Sequence, residues 1–173
     1  MLTVKAFSFN PVEENTYILY NEKKECCIID PGFYFPAERE KFEGFIEETN
    51  LQPTLLLNTH CHLDHVFGNK FVHDTWGLSL HIHEKEKQML DLAPASGEMW
   101  QLPFENYEGE LTFIKENSGS KLEMTSLKSV LRLVIRLVMF AFMTKQMVLR
   151  SVVMYYFTEA LAELTCPAEI FIH

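Results

Sequence analysis

Apolar residues recur along the first part of the chain with two periods. Residues 2–9 (LTVKAFSF) alternate and are rich in β-formers, which predicts a half-buried strand. Residues 16–20 (TYILY) and 25–30 (ECCIID) predict two more strands, and Pro31 and Gly32 end the third with a turn. Residues 36–49 then switch to helical spacing. Pro36 stands at the start, and Phe42, Phe45 and Ile46 form an apolar stripe at intervals of three and four. The short run TLLL at 54–57 reads as a strand buried on both faces. A helix over 66–76 stopped by Gly77, a strand over 78–82 and a charged, exposed helix over 84–92 follow. Residues 94–110 read as a loop-rich insert carrying Trp100, Phe104 and Tyr107. Strands followed by alternating helix and strand predict an α/β fold with its sheet covered on at least one face.

Chemistry concentrates directly after the TLLL run. Residues 58–69 read NTHCHLDHVFGN and place His60, His62, Asp64 and His65 within six positions. Imidazole and carboxylate are good ligands for zinc and similar divalent ions, which need several donors converging on one point. On an extended backbone His60 and His62 share a face, while Asp64 and His65 lie past the bend. A loop at the end of a buried strand is held rigidly and opens to solvent, where α/β proteins place their chemistry. Cys61 faces away from its flanking histidines and reads as packing. His73, His81 and His83 read as structural, with His83 at the mouth of the site as the alternative. Asp30 reads either as a turn cap or as support for a metal ligand.

Charge and composition narrow the partners and then reveal a break. A net charge of −9 opposes broad binding to nucleic acid or to an anionic membrane. Four cysteines, two of them adjacent, do not form a disulfide framework pattern, and the start MLTVKAFSFN does not resemble a signal peptide; a cytoplasmic protein is expected. All seven glycines lie at or before Gly119, and no aspartate follows Asp91. The chain therefore divides into residues 1–119 and an atypical tail, residues 120–173, without the residues that make tight turns. Its run LRLVIRLVMFAFM could form an amphipathic or buried helix but is too short and too charged to span a membrane.

THCHLDH resembles the T-H-x-H-x-D-H signature of the metallo-β-lactamase fold hydrolases. NPVEENTYIL and CCIIDPG resemble the first strands of that family, nearest to its glyoxalase II-like (hydroxyacylglutathione hydrolase-like) branch. The resemblance implies an αββα sandwich with two metal ions, zinc or else iron or manganese, between its sheets. It implies His60 and His62 on the first metal and Asp64 and His65 on the second. It also implies hydrolysis of a small-molecule thioester of the acyl-glutathione kind, with Asp64 orienting the attacking water and taking its proton. Lactone, phosphoester and persulfide chemistry occur on the same fold.

The family pattern stops short of the end. A later histidine and a bridging aspartate are expected, yet after Gly119 the only histidine is His173. Enzyme and inactive fragment with partial metal binding therefore both stay open. The genetic code suggests why the motifs are missing. Joining the last base of each codon to the first two of the next permits TPGHSPGHVCFYDKANG from residues 131–148 and GDVLFYGSIGRTDLPGGNF from residues 152–171. Met139 with Phe140 forces Val, Met143 with Thr144 forces Asp, and Tyr155 with Tyr156 forces Leu. Both strings resemble the missing motifs, in family order. We read the chain as shifted out of the family frame after residues 117–120. The nucleotide sequence around codons 115–125 tests this: a frame change there is expected, and an intact frame whose shifted codons do not spell these motifs overturns it.

Overall fold

The structure, a computed structural model, describes residues 2–114. The tail at 120–173, its motifs and the boundary at residue 119 lie outside the described residues. Among the described residues six strands form one sheet in the order β1 (Leu2–Phe9), β2 (Glu14–Asn21), β3 (Glu25–Ile29), β4 (Gln52–Leu57), β5 (Leu80–His83), β6 (Leu111–Ile114). The first three are antiparallel, and from β3 onward each neighbour is parallel. The parallel half needs crossovers, supplied by α1 (Pro36–Glu48), by α2 (Leu63–Val66) with α3 (Asn69–Trp76), and by α4 (Lys87–Met99).

One face of the sheet packs on these helices. Phe7, Phe9, Ile18, Ile28, Leu56, Leu80 and Ile82 join Phe42 and Ile46 of α1, Val72 of α3, and Leu90 and Ala93 of α4 in one core. Phe33, on the loop after β3, sits at its aromatic centre, with its ring centroid 4.9 Å from that of Phe42 and 5.6 Å from that of Phe71. The opposite face is also buried along the middle strands. Register places Tyr17 opposite Ile29 and Leu19 opposite Cys27, with Leu57 beside Ile29, and all five are nearly inaccessible. Two-sided burial explains why CCII and Leu56–Leu57 run apolar without alternation, while Thr54 is exposed and Leu55 half-buried, so the strand expected to be buried on both faces is so only at its end. Among the described residues no helix is long and apolar enough to cross a membrane.

Three expectations change. The helix expected over 66–76 is divided into α2 and α3, because the amide of Gly68 donates to Pro31 O at 2.7 Å instead of continuing a helical ladder. The chain still leaves α3 at Gly77, in the left-handed conformation at φ 67°. The exposed helix expected over 84–92 is a 3₁₀ turn, Glu84–Glu86, followed by α4, which runs through Pro94 to Met99 and buries Leu90, Ala93 and Gly97. Pro94 has no amide to give the carbonyl of Leu90, and Asn106 Nδ2 donates to that carbonyl at 2.9 Å. The insert therefore begins only after α4, and it is pinned by Asn106 and by buried Tyr107, whose hydroxyl accepts the Leu80 amide. It ends in β6, a four-residue strand too short to stand out by pattern.

Gly68 permits a close approach as well as a bend. A Cβ there would lie 2.5 Å from Cζ of Phe33. Gly68→Ala should destabilise the chain by about 1–3 kcal/mol through overpacking. Gly44→Ala, where a Cβ meets nothing within 4 Å, should be neutral or stabilising by up to about 1 kcal/mol. Urea midpoints of the two variants check this, and equal midpoints count against the contact.

Candidate functional site

Parallel pairing of β3 with β4 brings their C-terminal ends side by side, so that Asp30 meets the loop at residues 58–62. The Asp30 amide donates to Leu57 O at 2.9 Å. Its residue adopts φ 49°, a left-handed conformation that Asp tolerates better than most residues. That turn aims the fully buried carboxylate at the loop. Asp30 Oδ1 accepts the Thr59 amide at 2.7 Å and Asn58 Nδ2 at 3.1 Å, while Oδ2 accepts the Thr59 hydroxyl. Asn58 Nδ2 also donates to His65 O at 2.8 Å, and Asn58 Oδ1 accepts Asn69 Nδ2 at 2.7 Å. From the other side, buried Glu86 accepts the Cys61 amide at 2.6 Å. The backbone between the histidines is thereby tied to β3, α3 and the 3₁₀ turn.

These ties gather the rings. The His60 centroid lies 4.7 Å from that of His62 and 3.9 Å from that of His65. Asp64 Oδ2 is 3.4 Å from His65 Nε2. His65 Nδ1 points the other way, 3.3 Å from Asp30 Oδ2 and 3.4 Å from Glu14 Oε1 of β2. Burial opposes charge on His65, but the charge of the Asp30 carboxylate, 3.3 Å from Nδ1, outweighs it and raises the imidazole above its ordinary value. Burial likewise opposes the Asp30 charge, and His65 and His60 with the Thr59 bond hold it below the usual carboxylate range. Glu14 differs: burial, with the nearby Asp30 charge, pushes its carboxyl up to about 10.

Ligand atoms of Asp30, His60 and His65 all lie within 4.8 Å of one another. Of the residues expected as ligands, His60 and His65 belong to this group. His62 and Asp64 adjoin it, His62 as the residue preceding α2 and Asp64 in its first turn, without supplying an atom to it. Asp30 does belong, although its sequence position also read as a turn cap. Glu14 lies in the stretch NPVEENTYIL and Asn69 ends NTHCHLDHVFGN, but neither they nor Glu86 read as site residues; contact through the fold brings them in. His73 and His81 bond backbone carbonyls, at Leu78 and at Leu56 and Ser79. His83, buried at the end of β5, accepts the Lys85 amide.

Two imidazoles and a carboxylate are a donor set suited to zinc, iron or manganese. Among the described residues His65 Nδ1 and Glu14 Oε1 are inaccessible atoms without a hydrogen-bond partner of ordinary geometry, on the side of the ring away from Asp64, which leaves Nε2 as the nitrogen facing Asp64. The residues present fit a divalent ion.

Comparison with known proteins agrees with this reading. The sequence model described as "Metallo-beta-lactamase superfamily" matches residues 10–125. The chain is 33% identical over 87 residues to "Probable metallo-hydrolase YqgX" of Bacillus subtilis, covering 50% of this chain and 39% of that protein. It is 29% identical over 107 residues to "Hydroxyacylglutathione hydrolase GloC" of Haemophilus influenzae, covering 59% of this chain and 47% of that protein. The chain thus spans less than half the length of these curated relatives. The crystal structure of the BLEG-1 B3 metallo-beta-lactamase superposes with a TM-score of 0.56 at 28% identity, covering 66% of this chain and 55% of that one. That of TTHA1623 in a di-iron-bound form gives 0.58 at 24% identity, covering 65% and 54%, a likeness of fold.

Cys61 lies inside the histidine loop yet is 1% exposed, and burial raises its thiol far above the ordinary value; Cys26 is pushed up to about 12 by the same cause, and Cys27 higher. Reactivity follows the thiolate. Iodoacetamide at mildly alkaline pH should leave Cys26, Cys27 and Cys61 unmodified in the folded chain and alkylate all three in denaturant, as read by peptide mass spectrometry.

Proposed function

The chain belongs to the metallo-beta-lactamase superfamily, and from that premise we propose that its site is that of a metal-dependent hydrolase of the glyoxalase II type. The substrate class is a small-molecule thioester of the acyl-glutathione kind. The observation that carries the reading is the convergence of ligand atoms of Asp30, which follows β3, with those of His60 and His65, which follow β4. Relatives named hydroxyacylglutathione hydrolases support the substrate class. Lactones, phosphoesters and persulfides are the alternatives for this fold.

His60, His62, Asp64 and His65 would hold the metals, with Asp30 close enough to share in the work. Zinc is the ion we assign; the related di-iron-bound structure keeps iron as the alternative. A divalent ion held there supplies water of lowered pKa and polarises a carbonyl oxygen. The protein's own contribution is position. Asp64, whose side chain is 31% exposed, reaches both solvent and the histidine cluster, and it orients the attacking water and accepts its proton. Asp30 fixes Thr59, Asn58 and through them the histidine backbone, so the rings need little rearrangement to meet an ion.

A second reading is a half-site: a chain with partial metal binding and no turnover. It is favoured by the absence of any aspartate after Asp91 and of any histidine between His83 and His173, positions where a second set of ligands would be sought. Elemental analysis of the purified full chain, with hydrolysis of an acyl-glutathione thioester followed by loss of its absorbance, separates the two. Tightly held metal with turnover is the outcome expected of the enzyme. Metal below one equivalent with no turnover assigns the half-site instead.

A further inference from the structure

Resting on the metal-site reading above, we propose that Glu14 is a positioning residue: its Oε1 receives the Nδ1–H of His65 and thereby presents Nε2 to the metal. The first support is a pair of atoms. His65 Nδ1 and Glu14 Oε1 are both buried, both lack a partner among the described residues, and face each other at 3.4 Å. That separation is long for a hydrogen bond, and a small tilt of the ring closes it. Among the described residues this oxygen accepts no hydrogen bond of ordinary geometry. A buried donor and acceptor left facing each other are the pair a folded protein unites.

Asp30 Oδ2 competes for the same nitrogen from 3.3 Å. Its carboxylate already receives Asn58, the Thr59 amide and the Thr59 hydroxyl. Glu14 Oε1 receives nothing. Its other oxygen is occupied: Oε2 lies 3.1 Å from Thr16 Oγ1, which also bonds Asp30 O at 2.8 Å and accepts the Gly32 amide at 2.9 Å. That arrangement locks the Glu14 side chain. Space locks it further, since a Cβ on Gly32 would lie 2.0 Å from Glu14 Oε2. The side chain is thus held at Oε2, with Oε1 left 3.4 Å from the ring nitrogen.

The same pose fixes which nitrogen is left for chemistry. With Nδ1 held by Glu14, Nε2 is the nitrogen on the Asp64 side, 3.4 Å from Asp64 Oδ2. A carboxyl or amide oxygen that holds the far nitrogen of a ligating histidine sets its tautomer and orientation, and its loss lowers metal affinity roughly 10–100-fold.

Three variants of the full chain test this by cobalt(II) titration, read by the visible spectrum of the bound ion, beside the thermal midpoint of the metal-free protein. Glu14→Gln keeps an oxygen at the same reach and should bind cobalt within about threefold of the unaltered chain. Glu14→Asp keeps the acid but withdraws it by one methylene, and Glu14→Leu removes the oxygen; both should lose roughly 10–100-fold in affinity. If Glu14→Leu does not fold, Glu14→Asp carries the comparison. Equal affinities in all the chains overturn the inference while leaving the metal site intact. So does a loss in Glu14→Gln as large as in Glu14→Asp, because an oxygen at the original reach then does not preserve binding. Absence of cobalt binding in the unaltered chain overturns the metal-site reading and this inference with it.

Discussion

The site depends on one buried carboxylate. Asp30 accepts from a backbone amide, a hydroxyl and a side-chain amide of the adjoining loop, and lies beside an imidazole that raises its own proton affinity in response. A fully buried charge is stable only when hydrogen-bonded and paired on several sides. Every group that meets this demand belongs to the segment carrying the histidines. The cost of burying Asp30 and the order of the histidine loop are therefore one constraint.

Apolar packing makes that constraint sharp. The C-terminal ends of β3 and β4 are buried on both faces, so they cannot slide relative to each other without exposing Ile28, Leu56 or their neighbours. A shift of one residue would also turn the side chains to the wrong faces. Phe33 and Gly68 add a second lock, closing the turn after Asp30 against the start of α3. Glu86 holds the loop from the remaining side through the Cys61 amide.

Much of this was legible in the residues. The histidine loop, the strands before it and α1 announce themselves through spacing, period and Pro36. Asp30 was visible as a position with two readings, because a residue before Pro-Gly can cap a turn or face a site, and only the register of β3 with β4 decides. Glu14 was illegible: in ENTYIL it looks like a polar residue at a strand start, and only the sheet turns it toward His65. α4 was misjudged because Pro94 usually ends a helix, and the partner that lets it continue, Asn106, is twelve residues downstream. β6 was missed because four residues carry too little alternation to separate a strand from a loop.

The parallel pairing of β3 with β4 has a bearing on how the chain acquires its chemistry in time. Asp30 and Thr59 are separated by 29 positions, and the whole of α1 must close between them before they meet. Closure of such a loop is entropically costly before it is rewarded. A growing or partly folded chain therefore carries all three histidines of its motif without a place to gather them. The gathering of the histidine loop against Asp30 therefore waits on closure of that crossover.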